Sequence, residues 1–346
     1  MPPARTAGDD LAIEVRDLVK TFRRPRRKEG RLGALRTLMT REYETVRAVD
    51  GVSFDVRRGE VVGYIGSNGA GKSTTIKMLT GVLEPTAGTV RVNGAAPTAD
   101  RKENARRIGV VFGQKSQLWW DLPLVDSFRL IAALYSIADD RYRRNLARLD
   151  EVLGFAEFLH TPVRQLSLGQ RMRGDLAASM LHDPEVLYLD EPTIGLDVHS
   201  KERVVGFVEA ISGPGRTTVV LTTHDLADIE RTCERVVLID RGTVAFDGRV
   251  GDLKAACTPE RVLTVDYEPR DGGAPPAFSA GRAMGPAVVS AAAPGRVSLR
   301  MPSAHSVVPT VLEAVERECR IVDLSISETS LESVVRQLIP EGRRSS

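Results

Sequence analysis

Aromatic residues make up only 5% of this 346-residue chain, and two of them are tryptophan. Cysteine is scarcer still. Cys233, Cys257 and Cys319 stand far apart, with no CxxC pair and no metal-type spacing, which argues against a zinc module and for a reducing compartment. No apolar run approaches the roughly 20 residues that a membrane-spanning helix needs. The opening MPPARTAGDD lacks the apolar stretch of a secretory signal. Charge of one sign is also missing: 48 basic against 46 acidic residues leave a net +2, too little for a global field that would gather nucleic acid. What remains, 42% hydrophobic and 27% charged, is the balance of a soluble, cytoplasmic protein. The length leaves room for one full-size domain and a smaller one.

Residues 12–17 and 52–56 alternate apolar and polar, as edge or antiparallel strands should. Between them a basic insert, 20–45, carries Lys20, Arg23, Arg24, Arg26, Arg27, Lys28, Arg31, Arg36 and Arg41 against a single acid, Glu29, up to residue 41. Within it Leu32, Leu35 and Met39 recur at helical spacing, so a short amphipathic helix and a solvated hairpin both fit. From Val61 to Asp240 short apolar runs alternate with helical segments: VVGYI (61–65), IGVVF (108–112), VLYLD (186–190), TTVVLT (217–222) and RVVLI (235–239). That rhythm predicts a mainly parallel sheet covered on both faces. The stretch from about 121 to 181 reads as helical almost throughout, a subdomain inserted into the α/β core. Two short strands around Thr243–Phe246 are expected to close the first domain, 12–250, behind a flexible tail, 1–11. Beyond it, 251–346 reads as a small α+β domain. Its expected parts are strands at 262–268 and 296–301 around a Pro/Gly/Ala-rich loop 269–295, a helix at 304–319 and a strand at 320–326. A last helix at 331–339 is capped by Thr329, with Glu332 three residues on.

The chemistry starts at Gly66-Ser67-Asn68-Gly69-Ala70-Gly71-Lys72-Ser73, which fits GxxxxGK[ST]. It follows the strand VVGYI and opens the helix that begins Thr74-Thr75, so the strand–loop–helix context of a phosphate-binding loop is present. Glycines let backbone N–H groups turn inward around phosphate oxygens, and the helix N-terminus adds partial positive charge. Lys72 is expected to reach the β- and γ-phosphates of a nucleotide, and Ser73 to ligate Mg²⁺. Alone, the loop is common to kinases, GTPases and ATPases. A second element narrows the choice. The apolar run VLYLD ends in Asp190 and Glu191, placing two carboxylates at the carboxyl edge of a parallel sheet, where ligands bind. Asp190 is expected to hold Mg²⁺ through its water shell, and Glu191 to polarise the attacking water as general base.

The third element is Leu166-Ser167-Leu168-Gly169-Gln170, directly before a helix. It resembles the signature sequence of ATP-binding cassette (ABC) proteins, whose usual form has Gly in the third place. Other features of that family then fall into order. Gln114, 42 residues after Lys72, matches the Q-loop glutamine, Gly195-Leu196-Asp197 the D-loop, His224 the switch histidine, and Phe22 the adenine-stacking aromatic. The resemblance covers about residues 12–250. It implies a P-loop cassette with an antiparallel β subdomain and an inserted helical subdomain, followed here by the small α+β domain. It further implies an ATP hydrolase that uses Mg²⁺, with Glu191, His224 and Gln114 catalytic and Ser73, Gln114 and Asp190 at the metal. Two cassettes, as a homodimer or with a related partner, would pack head to tail. Ser167, Gly169, Gln170 and Asp197 of one would then complete the phosphate site of the other. The remaining partners implied are integral membrane permease subunits at the inner membrane surface, with no nucleic acid. Leu168 departs from the family pattern where close backbone approach is expected.

The stretch Gly113-Gln114-Lys115-Ser116-Gln117-Leu118-Trp119-Trp120-Asp121-Leu122-Pro123, with Thr193–Asp197 and the basic insert, is similar to a bacterial exporter subgroup that handles drugs and viologens. The Trp pair follows the Q-loop, where such proteins touch the permease; a core role in the helical subdomain fits the sequence equally. A different class of ABC ATPase serves nucleic acid or ribosomes without a permease. Its members usually carry two cassettes, a long coiled-coil insert or zinc-finger cysteines. This chain has one cassette, about 50 residues between Gln114 and Ser167, and three isolated cysteines, so the permease-coupled reading is preferred.

Overall fold

The computed structural model describes residues 10–25, 43–113, 115–223, 225–257, 260–270, 276–302 and 307–328. Gln114, His224, most of the basic insert and N-terminal tail, and the expected helix at 331–339 lie outside them. The chain forms two compact units, Met1–Arg249 and Val250–Ser346.

The first unit begins with β1 (Leu11–Pro25), β2 (Tyr43–Arg57), β3 (Val61–Gly66), α1 (Lys72–Leu79), β4 (Ala87–Val92), α2 (Arg101–Arg107) and β5 (Ile108–Phe112). It continues through α3 (Leu124–Leu134), α4 (Asp139–Leu153), α5 (Leu168–Met180), β6 (Val186–Asp190), α6 (Val198–Ile211), β7 (Thr218–Thr222), α7 (Leu226–Thr232), β8 (Arg235–Asp240) and β9 (Thr243–Arg249). All five apolar runs of the sequence are strands of one six-stranded sheet, in the order β5-β6-β7-β3-β8-β9. The first five are parallel. Their near-continuous burial follows from helices covering both faces of such sheets. The register sets Phe112, Asp190 and Thr222 side by side at the ends of β5, β6 and β7, so three chains leave the sheet together at its carboxyl edge.

A second, antiparallel sheet has the order β2-β1-β4. Here the sequence reading falls short. β1 and β2 are 15 residues each and pair from Leu11↔Arg57 to Pro25↔Tyr43, so both ends of the basic insert are ladder. Thr21, Val46 and Val49 are β-branched and suit a strand, and Lys20 spends its charge on the Glu84 carbonyl at 2.6 Å. Basic side chains do not oppose a strand whose faces are partly solvated. A second correction concerns the close of this unit. One strand, β9, pairs antiparallel with β8 in place of two short ones. Arg241 and Gly242, both at positive φ (45° and 83°), make the two-residue hairpin between them.

The segment 121–181 is helical in three long pieces, α3, α4 and α5, with two 3₁₀ turns, Ala156–Phe158 and Val163–Gln165, between α4 and α5. Phe128 and Phe155 meet edge to face at 5.3 Å in its core. α5 runs close to its neighbours because Gly174 has no side chain. A Cβ there would stand 2.9 Å from Leu124 Cδ1 and 3.0 Å from Leu118 Cδ1.

The second unit comprises α8 (Val250–Cys257), β10 (Glu260–Pro269), β11 (Ala283–Met284), β12 (Ala287–Ala293), β13 (Arg296–Pro302), α9 (Val307–Glu316) and β14 (Cys319–Glu328). Among the described residues its five strands form an antiparallel sheet, β11-β12-β13-β10-β14. Leu263, Val265, Val297 and Leu299 are buried in a common core with Val311 and Val315 of α9. The stretch 269–295, expected to be loop, holds β11 and β12. Alanine-rich composition hid the alternation that buries Ala287 and Val289 and exposes Val288.

Candidate active site

The loop between β3 and α1 is built by close backbone approach. Gly71 caps α1 at φ 106°, a left-handed conformation, with no side chain bonding to the helix end. The first N–H groups of α1 therefore remain for an anion to approach. A Cβ on Gly71 would stand 2.3 Å from the Ala48 carbonyl oxygen, and one on Gly66 2.2 Å from that of Ile239. The loop is also pinned by the Gly242 N–H, which donates to the Ala70 carbonyl at 3.0 Å. Lys72 is buried, and its ammonium donates to the loop carbonyls of Gly66 (2.7 Å) and Ser67 (3.2 Å). Burial pulls its pKa down, while the carboxylates of Glu191 and Asp190 oppose that shift. The cation thus lies within the field of the acid pair.

Both acids are held from their backbones. Asp190 ends β6, and its Oδ1 accepts a 2.5 Å bond from the Thr222 hydroxyl, while Oδ2 accepts from Ser73 Oγ at 3.4 Å. Glu191 turns the chain sharply at φ 55°, a conformation that costs a non-glycine residue about 1–3 kcal/mol. Its N–H donates to the Thr222 carbonyl (2.9 Å) and hydroxyl (3.2 Å). The Gly113 N–H donates to the Asp190 carbonyl at 2.7 Å. A Cβ on Gly113 would stand 2.1 Å from the Glu191 carbonyl oxygen, so the residue before Gln114 must be glycine for the chain to pass the acid pair. Gln114 and His224 themselves fall outside the described residues, although their neighbours Gly113 and Thr223 flank this site.

A second group of residues gathers at the start of α5. Ser167 caps the helix: its Oγ accepts the Gln170 N–H at 3.2 Å, and Gln170 Oε1 accepts the Ser167 N–H at 2.9 Å. The exposed Ser167 hydroxyl keeps its own proton for a partner outside this box. Gly169 faces Ser200, whose Oγ would lie 2.1 Å from a Cβ there. Ser200 is fixed in turn by Asp197, which accepts its N–H at 3.0 Å and its hydroxyl at 2.6 Å. Those two bonds hold the Asp197 carboxyl below the usual range. Leu168 is 36% exposed, and its Cδ2 lies 3.2 Å from where a Gly195 Cβ would be. Phe22 is half-buried in β1 with the Lys20 ammonium 5.6 Å from its ring centroid.

Residues 49–194 match the family model described as ABC transporter. Over 218 residues the chain is 38% identical to the daunorubicin/doxorubicin resistance ATP-binding protein DrrA of Streptomyces peucetius, a match covering 63% of this chain and 66% of that one. It is 30% identical over 210 residues to the ABC transporter ATP-binding protein NatA of Bacillus subtilis (strain 168), covering 61% of this chain and 85% of that one. A solved ATP binding subunit of an ABC transporter superposes with a TM-score of 0.57 at 28% identity, over 71% of this chain and 92% of the other. The chain belongs to the ABC transporter family. Its first unit is the ATP-binding, ATP-hydrolysing cassette.

Sequence reasoning passed over two residues of the cassette that the structure sets among the acids, Gly113 and Thr222. The signal for Thr222 is a polar residue with no exposure at the end of an apolar strand. Its hydroxyl donates to Asp190 and accepts from Glu191, so one side chain fixes both acids. Thr222→Val keeps volume but removes the donor, leaving Asp190 short of one hydrogen bond. A lost buried partner costs about 1–3 kcal/mol. ATP turnover should therefore fall by roughly tenfold or more. Steady-state phosphate release checks this, and parental turnover in a folded variant would deny Thr222 the role.

Proposed function

We propose that this cassette hydrolyses ATP·Mg²⁺ as one of a pair, docked on separate membrane permease subunits, to power export. The observation that carries the permease reading is the Trp pair. Trp119 and Trp120 are 41% and 54% exposed, which removes the core role left open by the sequence. They lie in the turn that precedes α3, five and six residues beyond Gln114. Two solvent-facing tryptophans in a chain that has no others make an anchor of the kind that dominates protein interfaces. No helix among the described residues is long and apolar enough to cross a membrane, so the cassette would reach the bilayer's inner face through such a partner. The drug-resistance name of the Streptomyces relative supports export.

Within the site, Lys72 and the loop 66–74 bind the phosphates, and Phe22 stacks the base. Ser73 Oγ and Asp190 Oδ2 meet at 3.4 Å, a pair of hard oxygen donors that suits Mg²⁺, with Gln114 as a further ligand. When bound, the metal neutralises charge on the phosphate oxygens. Glu191 takes the proton of the attacking water, and His224 donates to the transferred phosphoryl group. Ser167, Gly169 and Gln170 meet the nucleotide of a second cassette, which their exposed, outward-donating serine supports.

The test is co-purification of the full chain with its membrane subunits after detergent extraction. Trp119→Ala with Trp120→Ala should lose that association, since truncating an aromatic anchor costs about 2 kcal/mol or more, roughly 30-fold. ATP hydrolysis by the isolated chain should persist. Equal recovery of the double variant with the membrane subunits would remove the Trp surface from the interface.

A further inference from the structure

A carboxylate with no part in nucleotide chemistry is buried on the signature helix. Asp175 of α5 is only 5% exposed. Its Oδ1 accepts the Ser116 hydroxyl at 3.0 Å and the Gln117 N–H at 3.0 Å. The Gln117 side-chain amide donates to the Asp175 backbone carbonyl, also at 3.0 Å. Two consecutive residues just past Gln114 are thus bonded three times to one helical position. The Ser116 hydroxyl accepts the Leu118 N–H at 3.1 Å, which extends the attachment one residue further. One turn before Asp175, the Arg171 guanidinium lies 5.6 Å from the Trp120 ring centroid, and Arg171 is also the charge that acts on Asp175. Gly174, between them, lets Leu118 and Leu124 seat on the helix. The same face of α5 therefore grips the segment 116–120 by hydrogen bonds, a cation–π contact and close packing.

Helix packing alone does not require a buried carboxylate here. Removing its charge from water is costly, and a small apolar residue would avoid that cost. The return is a set of hydrogen bonds to a carboxylate, which are stronger than neutral ones. Such bonds fix the backbone of 116–117 to the helix that begins at Ser167.

We propose that Asp175 is a positioning residue that locks the Ser116–Trp120 segment to the signature helix, so that the Trp surface and Ser167 move as one body. This rests on the permease reading only for what lies on the far side of the tryptophans. The lock itself belongs to the isolated chain. A shift of α5 caused by nucleotide would be delivered at Trp119 and Trp120, and a push on the tryptophans would be delivered at Ser167.

The two tryptophans are the only ones in the chain, so intrinsic fluorescence of the full-length protein reads this segment directly. Burial raises the Asp175 carboxyl to about 6 against the hydrogen bonds that lower it. Its protonation weakens the lock, so Trp emission should titrate with a midpoint near pH 6. That step should vanish in Asp175→Asn, which preserves shape and cannot ionise. Asp175→Ala should give red-shifted emission and stronger iodide quenching at every pH. In a Glu191→Gln background, ATP should shift Trp emission with Asp175 present and leave it unmoved with Asp175→Ala. Far-UV circular dichroism confirms folding of each variant, and the Asn variant carries the test if the Ala variant does not fold. A titration that survives Asp175→Asn, or a folded Ala variant with parental emission and ATP response, overturns the proposal. Because no permease is involved, this outcome is separate from loss of co-purification by the Trp variant.

Discussion

Glu191→Gln should bind ATP, hold two cassettes together and hydrolyse roughly 10²–10⁴-fold more slowly than the parent, the range for removing a positioned general base. The amide keeps the shape of the carboxylate, and the backbone bonds from residue 191 to Thr222 do not depend on the side chain. What disappears is the ability to take a proton from the attacking water, together with one negative charge near Lys72. That charge opposes the effect of burial on Lys72, and its loss lowers the lysine's pKa further, but Asp190 still opposes burial and one fewer negative charge faces the phosphates, so ATP binding should persist. Single-turnover phosphate release measures the chemical step, and gel filtration with and without ATP measures the pairing. Parental phosphate release from the variant would move the base elsewhere, while loss of ATP binding would show that residue 191 holds the loop and not the water.

Gly71→Ala is the second change with a large expected effect, and Gly69→Ala is its control. Both glycines have left-handed φ, 106° and 83°. A Cβ at 71 would meet the Ala48 carbonyl at 2.3 Å, whereas one at 69 meets nothing within 4 Å. Strain at such a φ costs about 1–3 kcal/mol in either case. Only at 71 must the backbone of β2 or the loop also move, which displaces the first turn of α1 from the phosphates. ATP affinity should fall on the order of 10²-fold for Gly71→Ala and by much less for Gly69→Ala. Titration with a fluorescent ATP analogue reads both. Similar losses for the two variants would show that φ strain, and not the Ala48 contact, shapes the loop.

Which parts of this molecule could be read from sequence follows from where its information is local. The five strands of the parallel sheet were legible because a strand buried on both faces is a continuous apolar run. The placement of the glycine-rich loop and of the acid pair at the sheet edge was legible because both patterns are local, a run of eight residues and two adjacent carboxylates after a buried strand. β12 was missed because its alternation is written in alanine, valine and serine, which carry little contrast. The ends of β1 and β2 were missed because their charges, Lys20 and Arg23, read as loop when only the pairing of two distant segments makes them strand. Thr222 and Asp175 were invisible for a related reason. Each is a polar residue at the edge of an apolar run, given meaning only by partners 32 and 58–59 residues away. The exposure of Trp119 and Trp120 was likewise a matter of which face of the segment turns inward, and Leu118 is the one that does.

Leu168, the departure from the usual signature, has a thermal consequence. It presents a branched apolar side chain, partly open to water, beside the serine that is proposed to meet the second cassette. Closing the pair over ATP would then remove hydrocarbon from water at a place where glycine offers none. Dehydration of apolar surface carries a negative heat-capacity change, and its favourable contribution fades on cooling. On the proposed pairing, closure would be more heat-dependent than closure built from backbone and phosphate contacts alone, and cold would favour the open, ATP-loaded but unpaired state.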